Sequence, residues 1–132
     1  MKIAHSCIAL SLLLVSWANA ECIRPKVENY TKVACLQEGL SVVTRDHKYG
    51  VIDVNGKEII PLQYEFIGSL GGGLYPAKKD GKRGYINKQG KQIIPFEYDF
   101  AGTFEDGIAK VNQNGDWFYI NRIGEVVKKA EE

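Results

Sequence analysis

Histidine is almost missing from this chain: His5 and His47 are its two. Methionine occurs once and proline four times in 132 residues. A zinc site takes three or four His, Cys, Asp or Glu ligands at suitable spacing. One histidine beyond residue 20, with Cys22 and Cys35, does not supply it. No Ser/His/Asp order recurs around His47, which reads as a solvated turn residue. Charge of one sign is also lacking, with 17 Lys and Arg against 16 Asp and Glu. Phosphate binding needs an excess of cations, so nucleic acid is not the expected partner. The same balance argues against anionic membrane surfaces. Long apolar runs are absent too, since Ile8–Val15 is too short to span a bilayer.

That run has another reading. Lys2 precedes it and Ala18-Asn19-Ala20 follows it, which are the elements of a cleavable signal peptide. The pattern predicts a signal over residues 1–20 and export to the periplasm or beyond the cell. Cys22 lacks the small residues before it that lipid modification requires, so a soluble product is expected. Two cysteines remain, and in an oxidising compartment Cys22 and Cys35 are expected to pair.

What the chain does have is a period. Gly39, Gly73 and Gly107 are spaced by 34 residues, as are Gly56, Gly90 and Gly124. Pro61 matches Pro95, Ile59-Ile60 matches Ile93-Ile94, and Tyr30, Tyr64 and Tyr98 share one register. Glycine and proline recur too often within each unit for helices. β-branched and aromatic residues fill the runs between them, which favours strands. In the central unit Leu74–Lys79 and Lys82–Asn87 read as strands joined by an Asp80-Gly81 hairpin turn. Lys91–Ile94 reads as a third strand ended by Pro95, with a short fourth before Phe104.

The expected fold is all-β: about three 34-residue antiparallel meanders, stacked as a small solenoid or closed into a barrel-like array. The division runs 21–38 as an N-terminal cap or partial repeat, then 39–72, 73–106 and a partial 107–127, with 128–132 as a charged tail. The expected core is Val42, Val51, Ile59, Leu70, Ala77, Tyr85, Ile93, Phe104, Ala109, Tyr119 and Val126.

Two units share a frame: Lys48-Tyr49-Gly50-Val51-Ile52-Asp53 with Gly56-Lys57-Glu58-Ile59-Ile60-Pro61, and Lys82-Arg83-Gly84-Tyr85-Ile86-Asn87 with Gly90-Lys91-Gln92-Ile93-Ile94-Pro95. Phe104-Glu105-Asp106-Gly107-Ile108-Ala109 follows as a linker. These segments resemble the WG (KWG) β-repeat family over roughly Tyr30 to Val127. The resemblance implies bacterial origin and an all-β repeat fold, and it transfers no catalytic residues. The Trp-Gly pair itself departs, becoming Tyr49-Gly50, Arg83-Gly84 and Trp117-Phe118.

Few residues suggest chemistry. Gly71-Gly72-Gly73 lacks the helix and Lys-Ser/Thr of a phosphate loop and reads as a flexible junction. Asp53, Asn87 and Asn121 share a register that suits capping of a turn. Asp99 and Glu105 are carboxylates of the rim. Tyr49, Tyr75 and Trp117 are candidate binding-surface aromatics, since Tyr and Trp favour interfaces. No catalytic residue, metal ligand or cofactor is expected. The chain reads as an exported, non-enzymatic module that presents a repeat surface to a protein partner, an inhibitor or immunity-type protein being one form. A cell-wall or glycan-binding protein, or a structural envelope protein, is the alternative.

Overall fold

The alternation of apolar and polar residues produces short strands, and the Asp/Asn-Gly pairs turn them back. The computed structural model describes residues 21–130, so the predicted signal peptide over 1–20 lies outside the described residues. The fold is all-β, with three four-stranded antiparallel sheets. Sheet 1 holds β1 (Lys32–Val33), β2 (Leu40–Arg45), β3 (Lys48–Asp53) and β4 (Glu58–Tyr64) in chain order. Sheet 2 holds β5 (Phe66–Ile67), β6 (Leu74–Lys79), β7 (Lys82–Asn87) and β8 (Gln92–Tyr98). Sheet 3 holds β9 (Phe100–Ala101), β10 (Ile108–Gln113), β11 (Asp116–Asn121) and β12 (Val126–Lys129). Each sheet is a separate hydrogen-bonded ladder, so the units form an open stack and not a closed barrel.

The units are phased earlier than the glycine frame suggests. The expected fourth strand is found, but Phe100–Ala101 opens the next sheet instead of closing its own unit. The last unit, expected as partial, is therefore a full four-stranded sheet. Lys128 and Lys129 belong to β12 and not to a loose tail. Pro95 does not end its strand either. β8 runs through it to Tyr98, with a register irregularity opposite Arg83 and Tyr85. An edge strand tolerates proline where its missing N–H would face outward.

Three turns repeat in every unit. The hairpin turns Asp46-His47, Asp80-Gly81 and Asn114-Gly115 all have positive φ at both positions, the geometry that matches strand twist. Gly72-Gly73 forms a second such turn, closed by the Gly71↔Leu74 bridge. A Cβ on Gly71 would lie 2.3 Å from the Phe104 carbonyl oxygen. This triple glycine is thus a tight contact with the next sheet and not a flexible junction. In the third turn, Asp53, Asn87 and Asn121 each accept two backbone N–H groups through Oδ1, at 2.9–3.1 Å.

Two apolar layers join the sheets, and they are translations of one another by one repeat. Between sheets 1 and 2 lie Val51, Ile60, Tyr64, Ile67, Leu70, Tyr75, Ala77 and Ile86. Between sheets 2 and 3 lie Tyr85, Ile94, Tyr98, Ala101, Phe104, Ala109, Val111 and Ile120, position for position. The expected core was one residue out at the third strand. Ile60 and Ile94 are fully buried opposite Val51 and Tyr85, whereas Ile59 is half-buried against the first layer and Ile93 is left exposed at the equivalent bulge. Ile93 is accordingly 38% exposed and Val126 64% exposed, and Tyr119 is half-buried on an uncovered face. Burying each large aliphatic side chain is worth about 1.5–3 kcal/mol.

The ends of the stack are closed differently. A Cβ on Gly90 would touch Ile60, one on Gly124 would touch Ile94, and one on Gly56 would touch Val27. Val27 thus stands under sheet 1 where Ile60 and Ile94 stand under sheets 2 and 3. The segment carrying it is tied by the Cys22–Cys35 disulfide, with Cα atoms 5.1 Å apart. Ile23 adds a carbonyl that accepts the Leu36 N–H at 2.6 Å. The N-terminal segment therefore caps the outer face of sheet 1, where Ser41, Val43 and Ile52 are fully buried. At the other end Lys128 takes the register of Ile60 and Ile94. Its Nζ lies 5.2 Å from the Tyr119 ring centroid.

Gly90→Val is expected to cost about 1–3 kcal/mol, because Gly90 has φ 87° and rests on Ile60. Lys91→Val, on exposed surface, should stay within about 0.5 kcal/mol. Denaturant midpoints compare the two, and equal values would contradict the turn. Reduction of Cys22–Cys35, whose sequence separation is 13, should remove about 3 kcal/mol of stability and lower the same midpoint. An unchanged midpoint in reductant would mean that the cap holds without its bond.

Candidate functional site

β1 and β5 are two-residue strands at one edge of the stack, and they leave a groove between sheets 1 and 2. The groove measures about 560 Å³ and is lined among others by Arg24, Lys32, Thr44, Tyr49, Phe66 and Ser69. A neighbouring recess of about 690 Å³ shares Lys32, Thr44 and Tyr49 and adds Thr31, Asp46, His47 and Glu65. Tyr49 comes from β3 and meets Phe66 of β5 with ring centroids 5.4 Å apart. Arg83 places its guanidinium 5.0 Å from the Phe66 centroid from within sheet 2.

The repeat explains why the groove opens here. Val42, Thr44 and Tyr49 of sheet 1 correspond to Pro76, Lys78 and Arg83 of sheet 2. At these positions sheet 2 carries the long cations Lys78 and Arg83, whereas sheet 1 carries the short Thr44 and the Tyr49 ring. At the groove's other wall, Arg24 Nε donates to the Val33 carbonyl at 2.9 Å. That bond closes the free edge of β1 and fixes the guanidinium beside Lys32. Neither cation has a carboxylate partner among the described residues. The ion pairs found there are Lys82–Asp99 at 2.6 Å and Lys88–Glu38 at 2.8 Å.

The other sequence candidates fall in three places. Tyr49 is half-buried in the groove. Trp117 is half-buried on the outer face of sheet 3, with Lys110 Nζ 4.9 Å from its ring and Phe100 at 5.5 Å. Tyr75 is not a surface aromatic. It is 1% exposed and belongs to the layer between sheets 1 and 2. The alternation of β6 turns it inward, beside Ala77, where the expectation had placed it outside. Its hydroxyl has no hydrogen-bond partner among the described residues. Burial, with Glu38 adding to it, pushes this phenol up to about 12. Tyr85, by contrast, donates to the Gly102 carbonyl at 2.7 Å.

The carboxylates are engaged in structure. Asp99 accepts Lys82 Nζ through one oxygen and the Asn114 N–H through the other. The Lys82 hydrogen bond comes first among the causes that hold its carboxyl below the usual range. A general acid needs the opposite shift. Glu65, its equivalent in the preceding repeat, accepts the Gly81 N–H of the corresponding hairpin turn at 3.1 Å. His47 sits in a hairpin turn at φ 65°. Among the described residues no three His, Cys, Asp or Glu side chains gather as a metal site.

Arg24, Lys32 and Phe66 were not singled out by sequence reasoning. Their signal is a mismatch within the register: Lys32, Phe66 and Phe100 align, yet only the first is a cation.

A stack of meanders with this period defines a class of β-repeat protein. The family model for the WG containing repeat matches residues 49–82 and 84–117, just over half of the chain. The chain belongs to that family. No curated protein matches it.

Tyr75→Phe should leave stability unchanged or raise it by about 1 kcal/mol, since it removes a buried hydroxyl without a partner. Tyr85→Phe should cost about 1 kcal/mol by orphaning the Gly102 carbonyl. Thermal melts of the two variants test the pair, and a Tyr75→Phe protein that melts well below wild type would contradict the assignment.

Proposed function

We propose that this protein is an exported, non-catalytic binding module whose repeat stack holds a protein partner in the envelope or outside the cell. An inhibitor or immunity-type protein is the form that suits a small, rigid, single-domain chain. The groove at Tyr49 carries the reading. It sets two cations without carboxylate partners beside an aromatic pair, on strands fixed by a ladder and a disulfide. Desolvated aromatics flanked by cations are the usual anchors of a protein interface, and a preordered surface loses little entropy on binding. Export is supported by the signal-like leader and by the disulfide. Among the described residues no helix is long and apolar enough to cross a membrane.

A second reading has one observation in its favour. The recess beside Tyr49 combines an aromatic ring with Asp46 and Glu65, a set that also suits a sugar. Affinity capture from envelope and culture extracts separates the two, using wild type and a Lys32→Glu, Tyr49→Ala double variant. The expected result is one stoichiometric protein, recovered at least about tenfold less by the variant, a loss of about 1.4 kcal/mol. Recovery of peptidoglycan or soluble glycan in its place would replace the first reading with the second. Turnover of a captured glycan would overturn the non-catalytic assignment.

A further inference from the structure

The last strand of each sheet lies on the same side of the stack, and the three differ in one respect. β4 carries Pro61 and β8 carries Pro95. The register-equivalent residue of β12 is Lys129. The Ala130 N–H bonds inward to the Trp117 carbonyl at 3.0 Å, and Lys128 pairs with Tyr119. Backbone groups alternate along a strand, so Lys129, next to the inward-bonded Ala130, and Val126, next to the inward-bonded Glu125, direct their N–H and C=O groups outward, while Val127 is the extra residue of a β-bulge. Pro61 and Pro95 thus remove an outward N–H that Lys129 restores. Proline on an edge strand is a standard block to further pairing, and only sheet 3 lacks it.

A second departure sits beside the first. Ala130 stands in the register of Leu62 and Phe96. In sheet 2, Phe96 packs against the apolar layer, with its ring 6.3 Å from that of Tyr64. In sheet 3 the equivalent ring comes from Phe118, which lies 6.3 Å from Tyr98. Next to the small Ala130 is a pocket of about 320 Å³ lined by Asp116, Trp117, Phe118, Val126 and Lys129. All four residues of β12 are exposed, with Val126 at 64% and Val127 at 51%. Lys128 and Lys129 form no ion pair among the described residues.

We infer that the outer edge of β12 is a strand-addition site for an extended segment of a partner protein in which acidic and apolar residues alternate. The segment's main chain pairs with the outward groups of Val126 and Lys129. One apolar side chain enters the pocket beside Trp117 and Ala130, where Leu62 and Phe96 fill the earlier repeats. Its carboxylates, all on the face opposite that apolar side chain, meet Lys128. Main-chain pairing supplies affinity in this mode, and the alternate side-chain pockets supply specificity. The site is separate from the Tyr49 groove, so either can fail without the other.

The test is a displayed library of random heptapeptides, panned on the purified disulfide-bonded protein and on its Lys129→Pro variant. That variant restores the repeat's own residue, so it should melt close to wild type, and a melt confirms that it is folded. Enriched peptides should alternate apolar residues with Asp or Glu and bind the variant at least about tenfold more weakly. They should also slow amide hydrogen exchange at Val126 and Lys129. The proposal is overturned if nothing is enriched on wild type over the variant, or if the enriched peptides are basic or non-alternating. It is equally overturned if those two amides are already protected without peptide in proportion to protein concentration, since a second copy would then be the occupant.

Discussion

A four-stranded meander has two faces, and in sheets 1 and 2 both are apolar. The stack depends on that constraint, since neither face is stable against water and each of these sheets must be covered twice. Sheet 2 is covered by its neighbours. Sheet 1 needs a substitute on its outer side, and the disulfide-tied segment supplies one by putting Val27 under Gly56. Among the described residues no sheet lies against the outer side of sheet 3. Its outer face exchanges apolar residues for cations instead: Lys110 where Val42 and Pro76 stand, and Lys128 where Ile60 and Ile94 stand. These lysines lie over Trp117 and Tyr119 and keep their charge in water while shielding the rings. One end of the stack is closed by mimicry and the other by chemistry.

Much of this was legible before any coordinates. The 34-residue spacing of Gly39, Gly73 and Gly107 carried the number of units, and Asp80-Gly81 and Asn114-Gly115 carried the hairpins. Leu74–Lys79 and Lys82–Asn87 form the strands expected of them. The register of Asp53, Asn87 and Asn121 pointed to turn capping, and the Oδ1 bonds follow. Other features were not legible, for identifiable reasons. A run of adjacent apolar residues such as Ile93-Ile94 has no alternation, so the sequence cannot say which faces inward. The answer comes from the pairing of Ile94 with Tyr85 across the sheet. Tyr75 had been placed on the surface by its residue type, but the parity of β6 decides its face. The phase of the units depends on which sheet a two-residue strand joins, a tertiary matter.

The candidate site was the least legible feature. Tyr49 was found by type, whereas Arg24 and Lys32 became visible only when sheets were compared position by position. In a repeat protein the informative residues are those that break the register. Common positions such as Ile60 and Ile94 serve stacking. Thr44 against Lys78, or Lys129 against Pro95, changes something that stacking does not require. Such a difference calls for an account in terms of ends, edges or ligands.

The exchange of rings in sheet 3 has a consequence for how such a chain diversifies. Sheet 2 pairs a glycine, Gly84, with a ring on the next strand, Phe96. Sheet 3 reverses the arrangement, with Phe118 and Ala130. A Cβ on Gly84 would lie 2.6 Å from the carbonyl oxygens of Ile94 and Pro95, so the glycine cannot change first. Losing the ring first would leave Tyr98 facing a void. The two states are therefore separate basins with a poorly folded intermediate on either route. A unit that has crossed from one to the other cannot drift back by single steps, and duplicating it would propagate an unblocked edge along with it.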